Sequence, residues 1–446
     1  MVSERTRELI KKDAKYFIHP FGQAGLEPQV IWERAEGIRL WDTEGKEYLD
    51  FCSQWQCSNL GYGRKELIDA AIEQMNKLEY VCQPNPYSTI PAIEYAEKLA
   101  KFTPRNINHF FYTVAGTEAN ETAIKLAKFY WYLKGKATKY KVICLSHAYH
   151  GTGLMTSSLS GYPPLRNYFG PEAPGVIRVP FYHCYRCDLG LKYLGCGVAC
   201  ARYLETAIEQ EGEDTVAAFI VEPLQGGGAG GIAPPPEYFP MVREICTKHN
   251  VLFIDDEVMM GFCRTGRNFT IDHWNVEPDF ITMGKGINCV IIPMGVVGIC
   301  DKVYEELEGK EIGSGSTHAG HPVACAVAKV ALDIYIRERL AENAAKVGKH
   351  IRERLEREFL PLPHVGEVNG LGLMLSFEIV SDKPTKTPLS LKAVMKMRNK
   401  VLENGVYIRF QHNTHFFVAP PLIITKEEAD KVLDIIYPIV AGLKPE

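Results

Sequence analysis

The chain has 446 residues, 46% of them hydrophobic, and its 50 basic and 54 acidic residues leave a formal net charge of -4. That is enough apolar material for a large core with a second, smaller lobe, and charge spread this evenly provides no basic face for nucleic acid or an anionic membrane, so small-molecule partners are expected. The N-terminal MVSERTRELIKKDAKYF is charged and helix-like and no long uninterrupted apolar run follows, so the 13 cysteines read as reduced thiols or metal ligands of a cytoplasmic protein.

In chain order, Gly37 to Phe51 alternates apolar and polar residues around a Thr-Glu-Gly turn, which predicts a hairpin in an N-terminal lobe. From about Asn106 to Cys300, apolar runs (HFFYTVAG, KVICLSHA, VAAFIVEP, VLFIDDEV, FITMGKG, MGVVGIC) alternate with helical patterns. Such alternation predicts an α/β domain with a mostly parallel sheet covered by helices. Pro322 to Phe359 reads as one long amphipathic helical stretch, and the strand-like and helical pieces up to Pro438 form a C-terminal lobe beside the N-terminal one. The expected division is 1–60 and 331–446 as the two parts of a small α+β domain, with 61–330 as the large domain between them.

Several of these segments carry candidate chemistry. In VLFIDDEVMMG the strand ends at Asp255, Asp256 and Glu257, and open α/β sheets bind ligands at such carboxyl ends. Lys285 in FITMGKGIN follows another apolar strand, between the small neighbours Gly284 and Gly286. A lysine and a carboxylate at neighbouring strand ends suit pyridoxal phosphate: the amine condenses with the cofactor aldehyde, and the carboxylate keeps the pyridine nitrogen protonated. Taken singly, a lysine after a strand is ordinarily a solvated charge, and a strand-end aspartate is ordinarily a loop or helix cap.

In FYTVAGTEANETAIKLAKFY a strand meets a small-residue turn and then a helix, so the amides at Gly116 and Thr117 and the helix dipole offer a phosphate site. An ordinary capped helix, with Glu118 and Glu121 complementing the dipole, fits the same residues. In SHAYHG, Tyr149 is placed to stack on a flat ring with His150 beside it, although a core tyrosine and a satisfied histidine read equally well there. Gly226, Gly228 and Gly231 match a GxGxxG spacing, but Pro234, Pro235 and Pro236 follow where a dinucleotide fingerprint needs a helix, so a loop is expected. Cys184, Cys187, Cys196 and Cys200 form C-x2-C and C-x3-C pairs that suit zinc or an iron–sulfur centre. The loop between the pairs is short for a zinc ribbon, so packed free thiols and no metal are the favoured reading.

AGTEANETAIKLA, AYHG, VEPLQG, DDEVMMGFCRTG, the FITMGKG lysine and STHAGHPVACAVA stand in the order seen in class III aminotransferases, which the chain resembles over nearly its whole length. The resemblance implies a fold-type I pyridoxal-phosphate enzyme working as a homodimer, possibly a tetramer, with active sites shared between subunits. By the same resemblance Gly116 and Thr117 hold the phosphate, Tyr149 and Val258 cover the two ring faces, and Asp256 pairs with the ring nitrogen. Lys285 then carries the aldehyde, Glu222 helps orient the site, and Thr317 reaches the phosphate in the neighbouring subunit.

Departures from the pattern bear on substrate. Ornithine and 4-aminobutyrate enzymes carry a glutamate where this chain has Gly227, and an arginine where it has Phe417 in HFFVAPPL. The chain is closer to the ω-amino acid and amine:pyruvate branch, with Gly320-His321-Pro322, a loop arginine matched by Arg409, and a pocket aromatic matched by Trp55. The implied reaction is ping-pong transfer from an ω- or β-amino donor (a β-amino acid, a taurine-like amine, a diamine or a β-aminoacyl thioester) to pyruvate or 2-oxoglutarate. An aminomutase or an epimerase on the same frame is the alternative.

Overall fold

The central element of the computed structural model, which describes residues 2–83, 86–411 and 414–443, is a seven-stranded sheet built from the apolar runs. Its strands, in spatial order, are Ile107–Thr113, Gly295–Cys300, Phe280–Met283, Leu252–Asp256, Val216–Val221, Lys141–Leu145 and Val176–Val179. Gly295–Cys300 runs antiparallel to both of its neighbours, and every other pairing is parallel. Parallel strands are covered on both faces, which is why Val216–Val221 is apolar at every position and buried throughout. Helices Gly116–Leu133, Ala199–Glu211 and Tyr238–Lys248 pack against this sheet.

This topology brings the chemistry-bearing segments to one edge. Glu222 follows Val221, Asp256 ends its own strand, the 146–150 segment follows Leu145, and Lys285 lies just past Met283. The carboxyl ends of the parallel strands thus converge where an open α/β sheet forms its ligand crevice.

The predicted hairpin is present as Arg39–Asp42 paired with Glu47–Asp50, turning through Gly45 at a φ of 77°. Trp32–Glu36 and, from the far end of the chain, Val406–Tyr407 complete a four-stranded sheet, so the two ends of the sequence meet there. A further sheet holds Val365–Leu371, Met374–Asp382, His415–Val418 and Phe410–Gln411.

One expectation is corrected, and one strand is new. The helical stretch from Pro322 is two helices, Pro322–Arg337 and Leu340–Arg354, broken where Arg339 adopts a left-handed φ of 52°. The boundary drawn at 330 falls inside the first of these helices. Strand Val176–Val179 was not anticipated, because the helix that precedes it in this half of the sheet, Leu154–Leu159, is too short to stand out as a period in the sequence. The glycine-rich 226–231 segment is the expected loop, closed by a bridge between Gln225 and Ile232. No described helix is long and apolar enough to cross a membrane.

Candidate active site

Where the strand ends converge, a cavity of about 600 Å³ opens, within the range of small-molecule sites. Gly116, Thr117, Tyr149, His150, Glu222, Asp256, Val258, Lys285, Trp55, Arg409 and Phe417 all line it. Thr317 does not: it is exposed outside this cavity, its carbonyl accepting a hydrogen bond from the Tyr80 hydroxyl at 2.8 Å.

Asp256 is the most heavily braced group. His150 Nδ1 and Asn120 Nδ2 each lie 2.7 Å from its Oδ2, and the amide of Val258 donates to its Oδ1 at 3.1 Å. Asn120 is fixed in turn, donating also to the His150 carbonyl at 2.8 Å and accepting from the Thr282 hydroxyl at 2.6 Å. A buried carboxylate needs such partners, and losing one of them leaves a charge stranded away from water. The network joins four segments distant in sequence, so it positions Asp256 rigidly.

Lys285 stands just past its strand with a φ of 42°, a left-handed conformation that is costly for a side-chain-bearing residue and typical of functional sites. Its amine is surrounded by protein except toward the cavity, and burial pushes its pKa below the ordinary 10.5. Burial moves the Glu222 carboxyl the other way, above its usual range. Glu222 accepts from the Tyr149 amide and from Gln225 Nε2, both at 2.9 Å, and so fixes the backbone that presents the Tyr149 ring.

Helix Gly116–Leu133 begins with Ala115 as its N-cap and no side-chain cap, which leaves first-turn amides facing the cavity. Gly116 is required at this spot because a Cβ there would drive into the Val258 side chain. A Cβ on Gly227 would meet the Tyr149 ring at 2.9 Å, so a larger residue at 227 has to displace the ring.

The mouth is built differently. The Arg409 guanidinium lies 3.7 Å from the Trp55 ring centroid, and Trp55 packs on Phe21 with centroids 5.2 Å apart. Trp55 is 42% exposed, and the backbone on either side of it at Gln54 and Gln56 has positive φ. Arg409 is ion-paired with no carboxylate among the described residues. Phe417 is buried and lines the same cavity.

Sequence reasoning did not single out Asn120, Thr282 or Gln225, nor the further lining residues Phe21, Tyr162 and Met259. No local signal marks them, and their places become visible only in the fold. Asn120 lies one helical turn beyond Gly116, and Thr282 is the residue paired with Asp256 across the parallel ladder. The four cysteines Cys184, Cys187, Cys196 and Cys200 are free and line a separate small cavity of about 20 Å³. None of them lines the cavity that holds Lys285.

Uncapped amides, two walls, a braced carboxylate and a buried amine together match the parts of pyridoxal phosphate: phosphate, ring faces, ring nitrogen and aldehyde.

The model of the family described as aminotransferase class-III matches residues 22–440. The putrescine–pyruvate aminotransferase of Pseudomonas aeruginosa is 35% identical over 443 residues, covering 98% of this chain and 96% of its own. An (S)-enantioselective ω-transaminase from Thermomicrobium roseum superposes with a TM-score of 0.94 at 38% identity, covering 98% of each chain. The ω-transaminase of Pseudomonas jessenii, solved in complex with PMP, superposes at 0.93 with 34% identity, covering 97% of each chain. The chain belongs to the class III aminotransferases, pyridoxal-phosphate-dependent transaminases of fold type I.

Proposed function

We propose that this transaminase takes amino groups from ω- or β-amino donors, with diamines, β-amino acids and taurine-like amines as the main candidates, and passes them to pyruvate or 2-oxoglutarate. The observation that carries the reading is Arg409. It is a guanidinium lying over Trp55 at the cavity mouth, without a described carboxylate partner, while Phe417 is apolar at the position that the resemblance matches to an arginine of ornithine and 4-aminobutyrate enzymes. A cation resting on an aromatic face can turn to a carboxylate when a keto acid enters and stay parked when an uncharged donor tail enters. The apolar Phe417 and the compact Gly227 leave that donor tail room beside the Tyr149 ring.

The cofactor, when bound, supplies an aldehyde for the amine and a protonated ring that accepts the electron pair left by a broken C–H bond. The chain's own groups do the rest. Asp256, fixed by His150, Asn120 and the Val258 amide, holds the proton on the ring nitrogen. Lys285 Nζ, whose pKa burial lowers, takes the donor's Cα proton and delivers it again on the far side of the transfer. Tyr149 and Val258 wall the site and would hold a flat ring between them, limiting how a donor can be oriented. The first-turn amides at Gly116 and Thr117 anchor the phosphate. We extend the proposal to a homodimer in which Thr317, exposed and outside its own cavity, serves the neighbouring site.

Steady-state kinetics with putrescine, β-alanine and taurine as donors, each against pyruvate and 2-oxoglutarate, test the reading. It predicts parallel double-reciprocal lines, as in ping-pong transfer, with at least one of these donors preferred to α-amino acids. Turnover confined to α-amino donors would refute it.

A further inference from the structure

Away from the cavity, His183, Glu367 and His415 arrive from three separate stretches of chain: the loop after Val176–Val179, the strand Val365–Leu371 and the start of His415–Val418. One possible ligand atom from each lies within 4.8 Å of the other two. His183 Nε2 is 2.6 Å from Glu367 Oε2, with their side chains 5% and 15% exposed. The second oxygen of Glu367 accepts from Asn369 Nδ2 at 2.8 Å, and His415 Nδ1 lies 3.2 Å from the Thr414 hydroxyl. These outer partners orient the carboxylate and the second imidazole, as the outer shell of a metal centre does.

The charges favour a cation. Glu367 pairs with no lysine or arginine among the described residues, whereas Glu378, opposite His415 in the strand ladder, is held by Arg186 at 2.6 Å. A proton shared between His183 and Glu367 serves one contact, but a divalent ion uses all three ligands and leaves a fourth position for water. Two imidazoles and a carboxylate are a donor set that suits zinc.

We infer that His183, Glu367 and His415 bind one divalent transition-metal ion of the zinc type. The ion takes the place of the hydrogen at His183 Nε2. A neutral imidazole keeps its proton at Nδ1, and a protonated one releases a proton to solvent. The ion clips the loop at His183 to two strands of the smaller sheet. One of those strands carries Phe417, whose amide bonds the Arg409 carbonyl at 2.9 Å, so the clip stiffens the hairpin that presents both residues to the cavity. Cys184, Cys187, Cys196 and Cys200 follow directly in the chain and are the competing donors.

The test uses the cofactor-loaded protein, stripped with chelator, exposed to Zn²⁺, dialysed, and read by elemental analysis and thermal midpoint. The expected result is one retained zinc per chain and a raised midpoint, both unchanged when the four cysteines are replaced together (C184S, C187S, C196S, C200S). Glu367→Gln weakens zinc binding by about 100-fold or more, beyond the effect of losing an outer-shell partner. His415→Asn gives the same loss and decides the matter if Glu367→Gln does not fold. Wild-type protein that retains no zinc, zinc held undiminished by the histidine and glutamate variants, or zinc lost with the cysteines would each overturn the inference.

Discussion

The floor and the mouth of the cavity are made by different means. At the floor, Asp256 and Lys285 stand at the ends of buried strands, and hydrogen bonds from His150, Asn120 and the Val258 amide cross between segments distant in sequence. At the mouth, Arg409, Trp55 and Phe21 are packed rings and a guanidinium on irregular chain, with exposed surface and no described ion pair. A site that must repeat one proton transfer for every substrate needs fixed groups, and a site that must accept both a donor and a keto acid needs an adjustable one. On the proposed reading the division separates the chemistry from the choice of substrate, and substitutions on either side have different signatures.

The largest effect is expected at the floor. Lys285→Ala removes the amine proposed to move the proton and is expected to lower single-turnover amine consumption by about 10⁴-fold. Asp256→Asn keeps the shape and removes the charge, so kcat falls by about 100- to 1000-fold while circular dichroism shows an intact fold. At the mouth, Arg409→Ala removes one charge-assisted contact to a carboxylate, and kcat/KM for the keto acid drops about 10- to 100-fold. The half-reaction with a diamine changes by less than about 3-fold, well below the value of one such contact. If Arg409→Ala damages both half-reactions equally, the mouth is no more adjustable than the floor.

How far this division was legible in the sequence follows from range. Lys285, Asp256, Gly116 and Tyr149 each sit at a strand end or helix start with a local signature, and the strands themselves are continuous apolar runs. Asn120, Thr282 and Gln225 act only through contacts that close when distant segments meet, and nothing in their neighbours announces that. The break at Arg339 was hidden because the apolar spacing continues on both sides of it, while the backbone turns at a single residue. Phe21 escaped for a similar reason: its role is to back Trp55, a partner defined only in three dimensions.

The smallest effect is on stability. In the cofactor-free protein, burial lowers the Lys285 pKa below the ordinary 10.5, so between those two values the unfolded chain holds a proton that the folded chain does not. The stability tied to this group is therefore fully present above 10.5 and falls away as pH drops through the window. Lys285→Met has no such group, so its advantage in thermal midpoint over cofactor-free wild type, about 1–2 °C or more at neutral pH, shrinks as the pH is raised toward 10. Differential scanning calorimetry of both proteins across that range measures it.

The most direct test of the central claim is to load wild-type protein and Lys285→Ala with pyridoxal phosphate and follow the visible band of the bound cofactor through two additions, first putrescine and then pyruvate. The account predicts that the wild-type band is lost with the amine and returns with the keto acid, and that the Lys285→Ala protein does not complete the cycle. A wild-type band indifferent to every amine, or a full cycle in the absence of Lys285, would contradict it.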